Sequence, residues 1–162
     1  MNPHQILRYR RYRLGVVWAS SIFALVAGAL ITVQVGSNTE LKKGLNQPLP
    51  ALLVNYMLGF TVILVYTLAK RVDIPSFDKA AQTPWWAWLG GPAGAAYGLA
   101  AIILASQIGA ARLTALVITG QLVCSVILDH FGWLSFDVHT AGLGRIAGCA
   151  LMIVGLILIA KY

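Results

Sequence analysis

Charge is scarce in this chain. Of its 162 residues 10% are charged, against about 25% in ordinary soluble domains, and only five are acidic. With 59% hydrophobic residues and a mean hydropathy of +0.77, a water-soluble globule is a poor reading. Cysteine is equally sparse. Cys124 and Cys149 lie inside apolar runs with no CxxC or CxxH spacing, so they read as small packing residues, with no metal site, redox pair or cofactor. The three histidines, His4, His130 and His139, sit near segment ends, where a single imidazole is most simply a solvated interfacial group. No catalytic pair or metal cluster lies at one depth, and an enzyme is not expected.

What the chain does have is long uncharged runs. A formal charge of +7 would suggest nucleic acid if the basic residues formed a polar face. Four of the twelve, however, stand in "RYRRYR", residues 8–13, directly before an apolar run. That placement points to the inner face of a membrane, with the lipid bilayer rather than nucleic acid as the partner.

Crossing ~30 Å of hydrocarbon takes roughly 20 helical residues at ~1.5 Å each. The uncharged stretch from Arg13 to Glu40 therefore accommodates a first span at 15–36. It is longer than the ~7–15 apolar residues of a signal peptide, and the same length argues against a twin-arginine signal. A second span follows at 49–69, opened by Pro48 and Pro50, which suit a helix start. The "WWAW" cluster, at headgroup level, introduces a third at 85–106. Between Arg112 and Asp129 a fourth has 17 steps, about 25 Å, slightly short unless an end sits inside the interface, the bilayer thins, or a side chain snorkels. The fifth runs from near Ala141 to about 161, with Arg145 reaching outward. The expectation is an all-α polytopic membrane protein: a basic cytoplasmic tail at 1–13 and a single five-helix transmembrane domain at 14–162.

With the N-terminus inside, basic residues divide eight to four in favour of the cytoplasmic side. Without Arg8, Arg10, Arg11 and Arg13 the division is four to four. The body of the protein thus carries almost no orientation signal, as suits a chain that needs an oppositely inserted partner; alternatively the tail alone sets one orientation.

Polar groups inside the spans are few. On the fourth, Thr114, Gln121, Ser125 and Asp129 fall on one helical face, which must meet protein or water rather than lipid. Asp129 is the one acid close to a span, a candidate for proton or cation handling, or else a structural cap or interhelical bond. Gln34 and Asn38 on the first span, Asn55 on the second and Gln107 on the third are readable as interhelical hydrogen bonds or as ligand contacts. Tyr56, Tyr97, Trp85, Trp86 and Trp88 could stack on a cation, but aromatic interfacial anchoring is the default reading. Gly90, Gly94 and Gly98 on the third span, and Gly144 and Gly148 on the fifth, recur at spacing four and permit close helix packing or a hinge.

Four stretches carry a family resemblance: "TVQVGSNTEL" at 32–41, "GGPAGAAYG" at 90–98, "IGAARLTALVITGQLVCSVILDHFG" at 108–132 and "RIAGCALMIVGLILI" at 145–159. Together they resemble the YdcZ-type family of bacterial inner-membrane proteins, a half-length, five-helix branch of the drug/metabolite transporter superfamily. The resemblance implies half of an inverted-repeat transporter fold, pairing antiparallel with itself or with a sister five-helix subunit. It also implies a secondary exporter of a small metabolite or a cationic, amphipathic compound. Gly120, Gln121, Asp129, His130, Phe131 and Gly132 match the family's "GQ" and "DHFG" positions, whereas the basic tail departs from the compact N-terminus expected. Small multidrug transporters resemble this group but couple protons through a glutamate in their first helix; here that helix offers only Gln34, which leaves Asp129 as the sole acidic substitute. The substrate-binding residues expected are Gln34, Asn38, Asn55, Tyr97, Gln121, Ser125 and Asp129. A non-transporting membrane scaffold or regulatory subunit, packing through its glycine-spaced helices, is the alternative.

Overall fold

The computed structural model describes residues 3–162, with side chains at Gln5 and from Arg13 onward. In the basic tail at 1–13, the side chains of Arg8, Arg10 and Arg11 lie outside the described residues.

The first helix, α1, runs Pro3–Leu45, well beyond the 15–36 expected of the first span. Membrane thickness limits the apolar run, not the helix. No proline or glycine pair interrupts the sequence on either side, and the Glu40–Lys43 ion pair at 2.8 Å supports the last turns one helical turn apart. Asn46 then takes a left-handed φ of 57° and stops the helix. Two compact units divide within α1, Met1–Gln34 and Val35–Tyr162. In the first, every large apolar side chain from Leu14 to Val33 is exposed, as suits a helix solvated by lipid. Two of its hydroxyls bond back to the helix: Ser21 donates to the Val17 carbonyl at 2.9 Å and Thr32 to the Gly28 carbonyl at 3.5 Å.

In the second unit the end of α1 is followed by α2, Pro48–Ala69, whose two prolines occupy the first turn where no backbone donor is needed. A five-residue helix, α3, Phe77–Ala81, lies in the segment between the second and third spans. The tryptophan cluster forms a 3-10 turn, Trp85–Leu89, leading directly into α4, Gly90–Ile108. One residue, Gly109, separates α4 from α5, Ala110–Phe131. Its φ of 83° and ψ of 156° fall in a region that is essentially glycine's alone, so this joint depends on the missing Cβ. Helix α5 has 22 residues, about 33 Å at ~1.5 Å each, and so carries Arg112 and Asp129 inside its two ends while the uncharged run between them stays at about 25 Å. Arg112 lies in its first turn, exposed, instead of ending it. The last helix, α6, is Leu143–Lys161.

Among the described residues, five helices are long and apolar enough to cross a membrane. Within the second unit α4 packs on α2 and α5, and α5 packs on α6. Val35, Ala101 and Leu113 make one small core, with Ala105, Ile108 and Val117 against it. At the α2–α4 contact Ala51 and Ile102 are fully buried. Tyr56 donates its hydroxyl to the Gly94 carbonyl at 2.5 Å, and a Cβ at Gly98 would stand 2.7 Å from both Leu52 Cδ1 and the Tyr56 hydroxyl. Gly98 therefore permits the close approach itself. At Gly90, Gly94, Gly144 and Gly148 an added Cβ would meet no described neighbour within 4 Å, so within one chain those positions present open small-residue surface. No more than 11% of any span's apolar window is buried, so lipid or another membrane protein must cover the rest.

Candidate functional site

The clearest side-chain constellation lies where α5 ends and α6 begins. Gly132 closes α5 in a left-handed conformation, φ 64° and ψ 28°, with its N–H on the Leu128 carbonyl. The chain then folds back through a short 3-10 turn at Trp133–Ser135, and the side chain of Phe131 stacks on Trp133 at 5.0 Å. This return is tied to the end of α5: the His139 N–H donates to the Asp129 carbonyl at 2.8 Å, and the Ala141 N–H donates to His130 Nδ1 at 3.1 Å. As an acceptor, Nδ1 carries no proton.

These ties bring Arg145, in the first turn of α6, back to Asp129. Its guanidinium donates to Asp129 Oδ2 at 3.1 Å and to the His139 carbonyl at 3.3 Å. The ion pair is half-open, with the side chains 40% and 29% exposed, and it borders a cavity of about 280 Å³. Leu122, Ser125, Val126, Asp129, Arg145, Gly148 and Cys149 line that cavity. Gly148 and Cys149 leave the α6 wall thin, while Ser125 and the ion pair supply its polar groups. The cavity can accept a small group carrying a hydrogen-bonding end, held by a hydroxyl and a neutralised ion pair.

Of the residues expected to bind substrate, Ser125 and Asp129 meet here. Gln121, one turn before Ser125, is exposed on α5 and is not part of the lining. Asn38 is buried near the end of α1, Asn55 is half-buried on α2, and Tyr97 is exposed on α4. Gln34 falls in the first unit, exposed. The single chain does not gather these seven groups into one pocket among the described residues.

Sequence reasoning misses Arg145 as a site residue because an arginine at a span's start reads as an outward anchor. The signal lies in its pairing with Asp129: two lone opposite charges close the ends of one short loop, and must share a side and a depth. Cys149 has no such sequence signal; only the packing of α6 on α5 brings it to the cavity.

The sequence model of the family described as "Putative inner membrane exporter, YdcZ" matches residues 19–158. An Inner membrane protein YdcZ of Escherichia coli (strain K12) is 28% identical over 141 residues, covering 86% of this chain and 93% of that protein. No solved structure matches. A match running from the first span to the last, over five membrane-crossing helices, places the protein in the inner membrane as a multi-pass member of the YdcZ family of exporters.

Proposed function

We propose that the chain is one half of a secondary exporter for a small metabolite, working by alternating access in an antiparallel pair with itself or with a sister subunit. The observation that carries this reading is Gln121. It stands at the middle of the 22-residue α5 with its side chain exposed, where lipid contact would leave an amide unsatisfied at the depth at which that costs most. Ser125, one turn on, is exposed as well. A second five-helix unit or a water-filled path against this face satisfies both groups.

The acids favour a metabolite over an amphipathic cation. Asp129 is held by Arg145 and Glu40 by Lys43, so no unpaired carboxylate is left on the described spans to balance a positive substrate. The N-terminus is cytoplasmic in this reading, which puts the Asp129–Arg145 pair on the inner side and the single-residue joint at Gly109 on the outer.

Reconstitution in proteoliposomes tests the proposal. Gln121→Ala and Asp129→Asn should each lower efflux of transported metabolite at least about tenfold, taking one charge-assisted or buried hydrogen bond as the loss, while membrane insertion stays intact. Transport at the wild-type rate in both variants would remove these residues from the path. A purified wild-type assembly that moves nothing would instead favour the scaffold reading.

A further inference from the structure

The other end of the second unit holds a group that the Asp129 site does not use. Lys42, in the last turn of α1, is half-buried. A lysine near a helix end ordinarily sends its ammonium outward to water or headgroups. Lys42 reaches across to α4 and donates to the exposed Ser106 Oγ at 2.9 Å, while Ser106 donates its own O–H to the Ile103 carbonyl at 2.8 Å. The hydroxyl is a neutral partner, so the ammonium's charge is not balanced by it.

No carboxylate among the described residues is paired with it. Of the charged side chains at this end of the helices, Lys42, Lys43, Arg112 and Lys161 stand against the single acid Glu40, and Glu40 is engaged by Lys43 at 2.8 Å. The remaining acids, Asp73, Asp78, Asp129 and Asp137, all belong to the opposite end. Arg112, exposed and in no ion pair among the described residues, is a second unbalanced cation of this end, next to Leu113 of the small core at Val35.

Below Lys42 lies an unexplained amide. Asn38, one turn deeper or about 6 Å along the axis, is 7% exposed, yet its side chain makes no hydrogen bond to any described residue. No fully enclosed polar atom among the described residues lacks a partner, so the Asn38 amide keeps an opening. In a membrane-spanning region such a group calls for a ligand or water, since hydrocarbon cannot satisfy it. Its neighbour Thr39 needs nothing further, for its hydroxyl bonds the Val35 carbonyl at 2.8 Å.

An uncompensated ammonium and an open amide donor one turn apart share one ligand chemistry, since each can donate to an anionic oxygen; Ser106, whose own proton is engaged by Ile103, holds the ammonium in place. We propose that Lys42, Asn38 and Ser106 form a recognition site for a small oxyanion, a carboxylate or a phosphate, at the end of the spans opposite Asp129 and Arg145. The site is a binding site in its own right and does not depend on the chain being a transporter.

Binding to the purified full-length protein tests it without a transport assay. Benzoate and inorganic phosphate serve as soluble oxyanions, tetraphenylphosphonium as the organic cation, and nanodiscs of phosphatidylcholine with or without phosphatidylglycerol separate a lipid headgroup from a free anion. At least one soluble oxyanion should raise the thermal unfolding midpoint in phosphatidylcholine nanodiscs. Lys42→Gln and Asn38→Leu should each weaken its binding by about tenfold or more. Lys161→Gln, which removes the same formal charge at the same end from an exposed residue in no ion pair among the described residues, should leave binding unchanged. The proposal is overturned if Lys161→Gln weakens binding as much as Lys42→Gln, which would reduce the effect to general charge. It is equally overturned if only phosphatidylglycerol stabilises the protein, if tetraphenylphosphonium alone binds, or if neither soluble oxyanion does.

Discussion

Asp129 and Arg145 show how one residue's surroundings decide its work. A lone carboxylate near a span invites a role in proton or cation coupling, but a guanidinium 3.1 Å away turns it into part of a clasp that holds the 132–142 return against α5. Because both side chains are partly open to solvent, the pair contributes roughly 1 kcal/mol at most. A double-mutant cycle separates the two roles. If the pair is a clasp, Asp129→Asn and Arg145→Gln should each lower the unfolding midpoint by a similar amount, and the double variant should fall no further than either alone. The part in transport proposed for the carboxylate, beyond the clasp, shows as a much larger transport defect in Asp129→Asn than in Arg145→Gln at equal stability.

At the scale of elements, the glycines of α4 separate into two kinds. Gly98 lies against Leu52 and Tyr56 of α2, where an added Cβ would meet both at 2.7 Å, while Gly94 has nothing within 4 Å of the same atom. Gly98→Ala should therefore destabilise the purified single chain by about 1–3 kcal/mol through overpacking, and it should also disturb the Tyr56 hydrogen bond to Gly94. Gly94→Ala should be neutral in that assay, since alanine is the better helix former. If Gly94→Ala weakens association between chains without altering the monomer, the open surface of α4 is an intermolecular contact. Unfolding in detergent and crosslinking in membranes would read the two effects separately.

For the whole molecule, orientation rests on few charges. The eight-to-four excess on the N-terminal side comes entirely from Arg8, Arg10, Arg11 and Arg13. Replacing all four with glutamine should convert a predominantly N-in population into a mixed one, read by reporters placed at Tyr162 and in the 72–83 segment. Unchanged orientation after that replacement would mean that Lys70, Arg71, Lys79 and Arg145 suffice, and would weaken the argument for an oppositely inserted partner. A wild-type chain already found in both orientations would support antiparallel self-pairing.

Number, order and approximate extent of the spans were legible in the residues, because an apolar helix that crosses hydrocarbon must be about 20 residues long and nearly free of charge, whatever it packs against. Helix ends were less legible. Continuation of α1 to Leu45 and the start of α5 at Ala110 depend on local backbone terms, such as Asn46 and the glycine joint at 109, that hydropathy does not register. The pairing of α5 with α6, the return of Arg145 to Asp129, and the reach of Lys42 to Ser106 across 64 residues of sequence were decided only by tertiary structure. The physical reason is that hydropathy reports how a side chain fares in one solvent. Partner choice for a polar group depends on which groups the folded helices bring within about 3 Å of it, and that information is spread over residues distant in the chain.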